Sequence, residues 1–384
     1  MTLPRTTAAR HHTPRWTKWC IALGSLLLIA SGGSIVAARL LLSTATGSIS
    51  QRNLLGTVRT TEHVQITGPK NVLLVGIDTR PGWNGSQPSR SDSIIMLHIA
   101  ADHTHGYLIS IPRDSYVAIP AYDNGKYRYP GGHNKINSAF AFGSAGLSGS
   151  AGLSHGFELL ALTVKQLTGI TPDAGAIIDF QGFKNVVQVL GHVCMYVDED
   201  TTSIHVGHTA DGKTAVPYKT HQDGTIWYKI PGVTPNFYAK GNHCFNPTEA
   251  LDYVRQRDLL ANHDADYGRQ RHQQQFIKAV VKQVVHDGLT SPTKLPELLS
   301  AVGKTMTVDS GGISLADWAF AMRNVNPDNL VTIKTNGGRF NPRSVPGIGE
   351  VEMLNSTSME LLQAARTDTV DQWITQNPTW VATS

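Results

Sequence analysis

Acidic and basic side chains recur at the ends of apolar runs, where a folded sheet would bring them to one edge. Asp78 closes NVLLVGID (71–78), and Arg90-Ser91-Asp92 leads into SIIMLHIA (93–100). Ligands of open α/β sheets gather outside the carboxyl ends of strands. In an extended chain the first and third residues of Arg90-Ser91-Asp92 point the same way, so two carboxylates and a guanidinium can converge. Paired Asp residues suit a hard cation such as Mg²⁺, which takes one or two carboxylates and fills its shell with water and phosphate oxygen. Either Asp taken alone reads equally well as a turn or cap residue.

Further basic groups follow the same placement. SIPRDS puts Arg113 and Asp114 just after a third apolar run, and HNKIN supplies Lys135. Asn246-Pro247-Thr248-Glu249 has the form of a helix start, with a capping Asn and proline at the first helical position. Arg255 and Arg257 come next, and an i, i+2 pair acts together only if that helix stops near Val254. In DYGRQRHQQQF, Arg269 and Gln273 are one turn apart and share a face with Phe276, Ile277 and Val280. A guanidinium at the end of a buried stripe needs a counter-charge, which a bound phosphate would supply. Each arginine by itself also fits an ordinary surface or salt bridge.

The elements that must hold these groups read as a mixture of strands and helices. NVLLVGID, SIIMLHIA, YLISIP (107–112), AIIDF (176–180), VCMYV (193–197) and LVTIKT (330–335) are short β-branched or apolar runs bounded by turn residues. Helical periodicity covers 156–168, 181–190, 247–255 and 268–286, with further stretches near 295–302, 314–323 and 356–374. That order predicts an α/β domain with a mixed, covered central sheet. GSAGLS at 143–148 is repeated at 149–154 and reads as a mobile loop. It lacks the G-K-[ST] ending of a phosphate-binding loop. Gly152-Leu153-Ser154-His155-Gly156 matches G-x-S-x-G, but no strand precedes its serine, which argues against a nucleophile elbow.

Five of the 33 Lys and Arg residues precede residue 44, in a stretch without acids, so the rest nearly balance the 29 acidic residues. A nucleic-acid binder would carry a basic domain or stripe instead. Trp19–Ala38 contains no charge, and Leu40-Leu41-Leu42 follows Arg39, long enough to span a hydrocarbon core of roughly 30 Å. Basic residues on its N-terminal side place residues 1–18 in the cytoplasm and everything after residue 43 outside. Val36-Ala37-Ala38 also offers a cleavage site, so a removed signal peptide is the competing reading. Residues 44–69 read as a linker before a folded domain at 70–384. Cys20 lies inside the span, leaving Cys194 and Cys244 either as one disulfide or as two separate thiols in an exported domain.

The ordered set GIDTR, RSDSI, SIPRDS, HNKIN, IDFQGFKNVVQVLG, EALDYVRQR and DYGRQRHQQQ resembles the LytR-CpsA-Psr family across residues 71–285. The resemblance implies an α/β/α domain whose central sheet and helices enclose an apolar pocket for a lipid tail. It implies a cell-wall phosphotransferase that moves a glycopolymer (teichoic acid, capsule or arabinogalactan) from a polyprenyl pyrophosphate carrier to peptidoglycan. Carried over residue by residue, it makes Asp78 and Asp92 the Mg²⁺ ligands and Arg90, Arg113, Lys135, Arg255, Arg257, Arg269 and Gln273 the pyrophosphate clamp. Arg90, Arg113, Asp114, Arg255 and Arg257 are the residues expected to act in catalysis, with Asp114 and Asp78 both open as general base. His272 stands where the family often has arginine, which would weaken the phosphate grip or make it pH dependent, and His192 replaces a turn glycine. A polyprenyl-pyrophosphate hydrolase and a non-catalytic lipid-binding or regulatory membrane protein are the alternatives.

Overall fold

Alternation of side chains across extended chain decides the architecture. The computed structural model describes residues 52–56, 66–78, 89–221, 224–290, 306–313, 318 and 324–382, with side chains of 287–290 left aside. The expected span at 19–43 and the expected helices at 295–302 and, except for Trp318, at 314–323 lie outside the described residues. Among the described residues no helix is long and apolar enough to cross a membrane.

Strands β1 (Lys70–Ile77), β2 (Ser91–Ile99) and β3 (Gly106–Ser110) form an antiparallel meander at the centre. A short hairpin, β4 (Tyr116–Ile119) with β5 (Gly132–Lys135), leads to helices α1 (Asn137–Ser144) and α2 (Gly149–Thr168). Strand β6 (Ala174–Asp179) then returns parallel to β1 and feeds α3 (Phe180–Leu190). Strands β7 (Val193–Val197) and β8 (Gly241–Phe245) pair outside the main sheet, and α4 (Pro247–Tyr253) and α5 (Ala265–Thr290) follow. Strand β9 (Met306–Asp309) joins the sheet beside β6, and β10 (Leu330–Ile333) joins it beside β3. The six-stranded order is therefore β9-β6-β1-β2-β3-β10, mixed in direction. A hairpin, β11 (Pro342–Val345) and β12 (Gly349–Glu352), precedes α6 (Ser356–Arg366) and α7 (Val370–Gln376).

Odd and even positions of the meander serve different layers. Leu73, Val75, Ile94, Met96, Tyr107 and Ile109 join Phe157, Leu160 and Val164 of α2 and Leu361, Leu362 and Trp373 of α6 and α7 in the large core. Leu74, Ile95 and Leu108 instead meet Ile277 of α5 on the opposite face. The sheet is thus covered on both sides, which is why β3 is buried along its whole length. Gly175 permits the close approach of α2, since a Cβ there would lie 2.3 Å from the Phe157 ring.

The Gly/Ser repeat departs from expectation. Its second copy is not a mobile loop but the first turn and a half of α2. Leu153 begins the apolar stripe that continues through Phe157, Leu160 and Val164, and tertiary burial overrides the low helix propensity of Gly and Ser. Ser154 lies inside that helix, so no strand-turn-helix elbow is present there. Helix 356–374 divides at Asp368, whose positive φ breaks the run and whose carboxylate meets the buried ring of His98 at 3.0 Å.

Cys194 and Cys244 stand opposite each other across β7 and β8, with Cα atoms 3.9 Å apart, and form a disulfide. It ties residues 50 apart in sequence. In the chain-entropy picture a loop of this size contributes about 4 kcal/mol. Both cysteines are exposed, so mild reductant should lower the melting temperature without denaturant. Identical melts with and without reductant would show that the strand pair holds by itself.

Candidate functional site

The site lies on the face of the sheet covered by α3 and α5. Even-numbered β1 positions and odd-numbered β2 positions supply a floor of Leu74, Gly76 and Ile95, and Phe180, Phe183, Phe276 and Val280 supply the walls. These enclose a cavity of about 250 Å³ whose lining is overwhelmingly apolar. Its polar members are Asp92 and Ser93 at the start of β2, Asp179 at the end of β6, Arg255 just past α4, and Gln273 within α5. Phe183 and Phe276 stack at 4.3 Å, joining α3 to α5 along one wall.

Several predicted residues do converge. Asp92 accepts a 2.6 Å hydrogen bond from Arg113, whose Nε lies 3.7 Å from Asp114 and 3.8 Å from Asp266. Lys135 holds the other side of Asp114 at 2.9 Å. Arg269 pairs with Asp266 at 2.8 Å and donates to the Asp92 carbonyl at 3.0 Å. One chain of charges therefore links β2, the 112–114 loop, β5 and the first turn of α5. Burial drives the Arg269 guanidinium down from its ordinary value despite the nearby Asp266. Burial acts the other way on Asp266, but Arg269 and Arg113 outweigh it and keep that carboxyl low. Asp266 was not singled out from sequence; its place at the start of α5, one turn before Arg269, was the available signal.

The arginine pair 255/257 also depends on local structure. Asn246 accepts from the Thr248 and Glu249 amides while Glu249 accepts from the Asn246 amide, a full capping box. The helix ends at Tyr253, with Val254 as its C-cap, so Arg255 and Arg257 sit on the non-helical segment that their spacing requires. Arg255 lines the cavity and lies 4.4 Å above the Phe180 ring. Arg257 acts electrostatically on both Asp266 and Arg269, and Gly224 of the 218–229 hairpin presses close to its guanidinium. Gln273 reaches the Val254 carbonyl at 3.4 Å, one turn along α5 from Arg269.

Asp78 and Arg90 occupy the edge where β1 ends and β2 begins, and Ile77 pairs with Ser91 there. The register sets Asp78 beside the Arg90-Ser91-Asp92 segment, with Arg90 exposed and Asp92 half-buried. Asp92 Oδ1 is taken by Arg113, which leaves its second oxygen for a hard cation. Asp92 lines the cavity and Asp78 follows the adjoining end of β1, two carboxylates of the kind that suit a divalent ion with an oxygen-rich shell.

His272 does not face this site. Its fully buried ring stacks on Tyr253 at 4.3 Å, with Nε2 3.4 Å from Glu199 and 3.6 Å from Asp198. The expectation that it would tune phosphate binding is therefore corrected: 269 and 273 share one helical face, and 272 is turned away by about 100° from 273. Beside it Arg271 forms ion pairs with Asp198, Glu199 and Asp264, an anchor that sequence reading did not single out. Its only signal was a basic residue inside an otherwise polar helical run.

Comparison with known proteins bears on the origin of this arrangement. Regulatory protein MsrR of Staphylococcus aureus is 30% identical over 251 residues, 65% of this chain and 59% of that protein. Polyisoprenyl-teichoic acid--peptidoglycan teichoic acid transferase TagU of Bacillus cereus is 27% identical over 248 residues, 64% of this chain and 62% of that protein. The matched region thus spans about three fifths of these relatives. The structure of TagT bound to LI-WTA shares the fold, with a TM-score of 0.51 and 21% identity over 81% of this chain and 94% of that one. The LytR_cpsA_psr family model matches residues 41–367, reaching past the recognisable motifs to include β11, β12 and α6. With residues 41–367 matched, most of its length, the chain belongs to the LytR_cpsA_psr family.

Proposed function

We propose that this chain is a phosphotransferase that takes a glycopolymer from a polyprenyl pyrophosphate carrier and attaches it to peptidoglycan. The observation that carries the reading is the polarity of the cavity: apolar walls end at a rim of carboxylates and guanidinium groups. Such a shape suits a ligand with a hydrocarbon tail and a multiply charged head. Arg255 on the cavity wall, with Arg113 and Arg269 gathered around Asp92, offers guanidinium charge to a dianionic pyrophosphate. TagU is named as a peptidoglycan teichoic acid transferase and TagT was solved with LI-WTA bound, both in keeping with this reading.

In this mechanism the tail segment next to the pyrophosphate rests against Phe180, Phe183 and Phe276, which excludes water from one side of the reacting group. Arg255, Arg257, Arg269 and Arg113 neutralise charge on the phosphoryl oxygens, for which the planar guanidinium is better matched than an ammonium. Asp78 and Asp92 would hold Mg²⁺, which would supply positive charge to offset the charge of the reacting phosphates. A wall hydroxyl then displaces polyprenyl phosphate from the glycan-proximal phosphorus, and catalysis rests on position and electrostatics. The segment 19–43 would anchor the domain at the outer membrane face, beside its lipid-borne donor.

The direct test is mass spectrometry of lipid extracted from the purified domain, with a polyprenyl phosphate or pyrophosphate as the expected species. A binding titration adds a residue-level check. Arg255→Ala should weaken binding of a polyprenyl pyrophosphate by one to two orders of magnitude, about 1.5 to 3 kcal/mol, while the fold persists. Unchanged affinity in the folded variant would remove Arg255 from the clamp.

A further inference from the structure

A second cleft shares the charge chain described above but opens on the other side of Arg113. It has a volume of about 130 Å³ and lies between the 112–114 loop, the first turn of α5 and the β11–β12 hairpin. Asp92, on one side of Arg113, lines the apolar cavity; Asp114 and Asp266, on the other, line this cleft. Arg113 Nε is buried, and at 3.7 and 3.8 Å from those two carboxylates it makes no hydrogen bond. The two openings thus flank one guanidinium.

The hairpin wall is fixed in place. The Glu352 amide donates to the Asp114 carbonyl at 2.9 Å, and the Glu352 carboxylate accepts from Tyr267, Asn336 and the Asn341 amide. Oε1 of Glu352 is thereby committed to holding the hairpin. Tyr267 in turn meets Phe340 edge-on at 5.0 Å, yet Phe340 remains 49% exposed. An aromatic ring held from behind and open in front, flanked by Pro112 and Pro342 and by the carboxylates of Asp114 and Glu350, has the chemistry of a saccharide site. Apolar sugar faces stack on such rings, and carboxylates accept from hydroxyl groups.

We propose that this cleft is the acceptor subsite, seating one sugar unit of the wall glycan against Phe340 and presenting its hydroxyl to Asp114. The inference rests on the transferase reading and adds the second substrate to it. The acceptor oxygen forms its bond to phosphorus as the bond from phosphorus to the polyprenyl phosphate oxygen breaks, and that oxygen leaves with the electron pair. The acceptor proton passes to the Asp114 carboxylate, which later returns it to water. Between the two candidate bases, Asp114 lines the cleft and Asp78 does not. Lys135, 2.9 Å from Asp114, is the group that holds the carboxylate in position.

The test uses the full chain in detergent, a polyprenyl-pyrophosphate-linked disaccharide as donor and a peptide-free peptidoglycan disaccharide as acceptor. Phe340→Ala and Glu350→Gln lie outside the clamp and on exposed positions. Each should raise the acceptor KM about tenfold while donor affinity and melting temperature stay unchanged. Asp114→Asn should lower the transfer kcat by about a hundredfold or more, well beyond any change in acceptor KM. An unchanged acceptor KM in Glu350→Gln and in any folded Phe340→Ala overturns the subsite. If the wild type binds donor but never transfers to the disaccharide, the transferase reading itself falls, so the two failures are told apart.

Discussion

Asp92→Ala should leave a folded protein that still takes up a polyprenyl tail but has lost Mg²⁺-dependent turnover. Asp92 sits where three requirements meet: it lines the cavity, holds Arg113 at 2.6 Å, and lies across from the end of β1 that carries Asp78. Removing it deletes one of two proposed metal ligands and releases one tether of a clamp arginine. Loss of a single preorganised electrostatic group typically costs about 10² to 10³ in rate, and the double role here puts the effect at the upper end. Pyrophosphate cleavage with and without Mg²⁺, lipid binding and a thermal melt separate the outcomes. Normal cleavage would mean that the metal site is misassigned, and an unfolded variant would make Asp92 structural.

The second large effect is on stability and concerns Arg271. Its guanidinium is nearly buried among Asp198, Glu199 and Asp264, and the neighbouring ring of His272 is fully buried. Replacing it by methionine would leave the carboxylates without their cation in a poorly solvated place. Breaking a buried ion pair from one side costs about 3 to 5 kcal/mol, enough to consume much of a domain's margin. Chemical denaturation would measure it directly, and a loss below about 1 kcal/mol would mean that water or Lys334, which shares a small cleft with Asp198, Asp264 and Arg271, takes over.

The same cluster sets an acid limit. Burial pushes the Asp198 carboxyl up, but the nearby His272 ring and the charge of Arg271 outweigh it and hold the group near a pKa of about 2. Glu199 is depressed for the same reasons. A folded-state pKa below the unfolded one gives stability that is present above the ordinary carboxylate range and is lost as pH falls toward 2. In Arg271→Met the acid-unfolding midpoint should therefore move to higher pH. Its staying in place would show that other carboxylates dominate acid unfolding.

Much of the site was legible because it depends on short-range rules. The Asn-Pro-Thr-Glu start and the i, i+2 arginines together required α4 to stop at the C-cap Val254, and it does. Helical spacing put Gln273 on one face with Phe276, Ile277 and Val280, and all four line the cavity. The β-rich excursion between residues 201 and 245 was not legible, since its short strands alternate weakly and are half exposed. The helical half of the Gly/Ser repeat was likewise hidden, because what makes it helical is contact with α1, including Gly156 against Phe140.

By itself, the sequence determined the mixed α/β class, the strands that build the central sheet, the family motifs and the residues that carry charge to the strand ends. Those follow from periodicity of two or 3.6 and from local capping chemistry, which act over a few residues. Only the tertiary structure decided which charges meet. The salt bridges of Arg113 with Asp92 and Asp266 span loops far apart in the chain. The turning of His272 toward Asp198 and Glu199, and the cleft closed by the β11–β12 hairpin, likewise need distant segments to be packed before any contact exists. Such pairings are fixed by burial and by the need to neutralise buried charge, and neither can be read from neighbours in sequence.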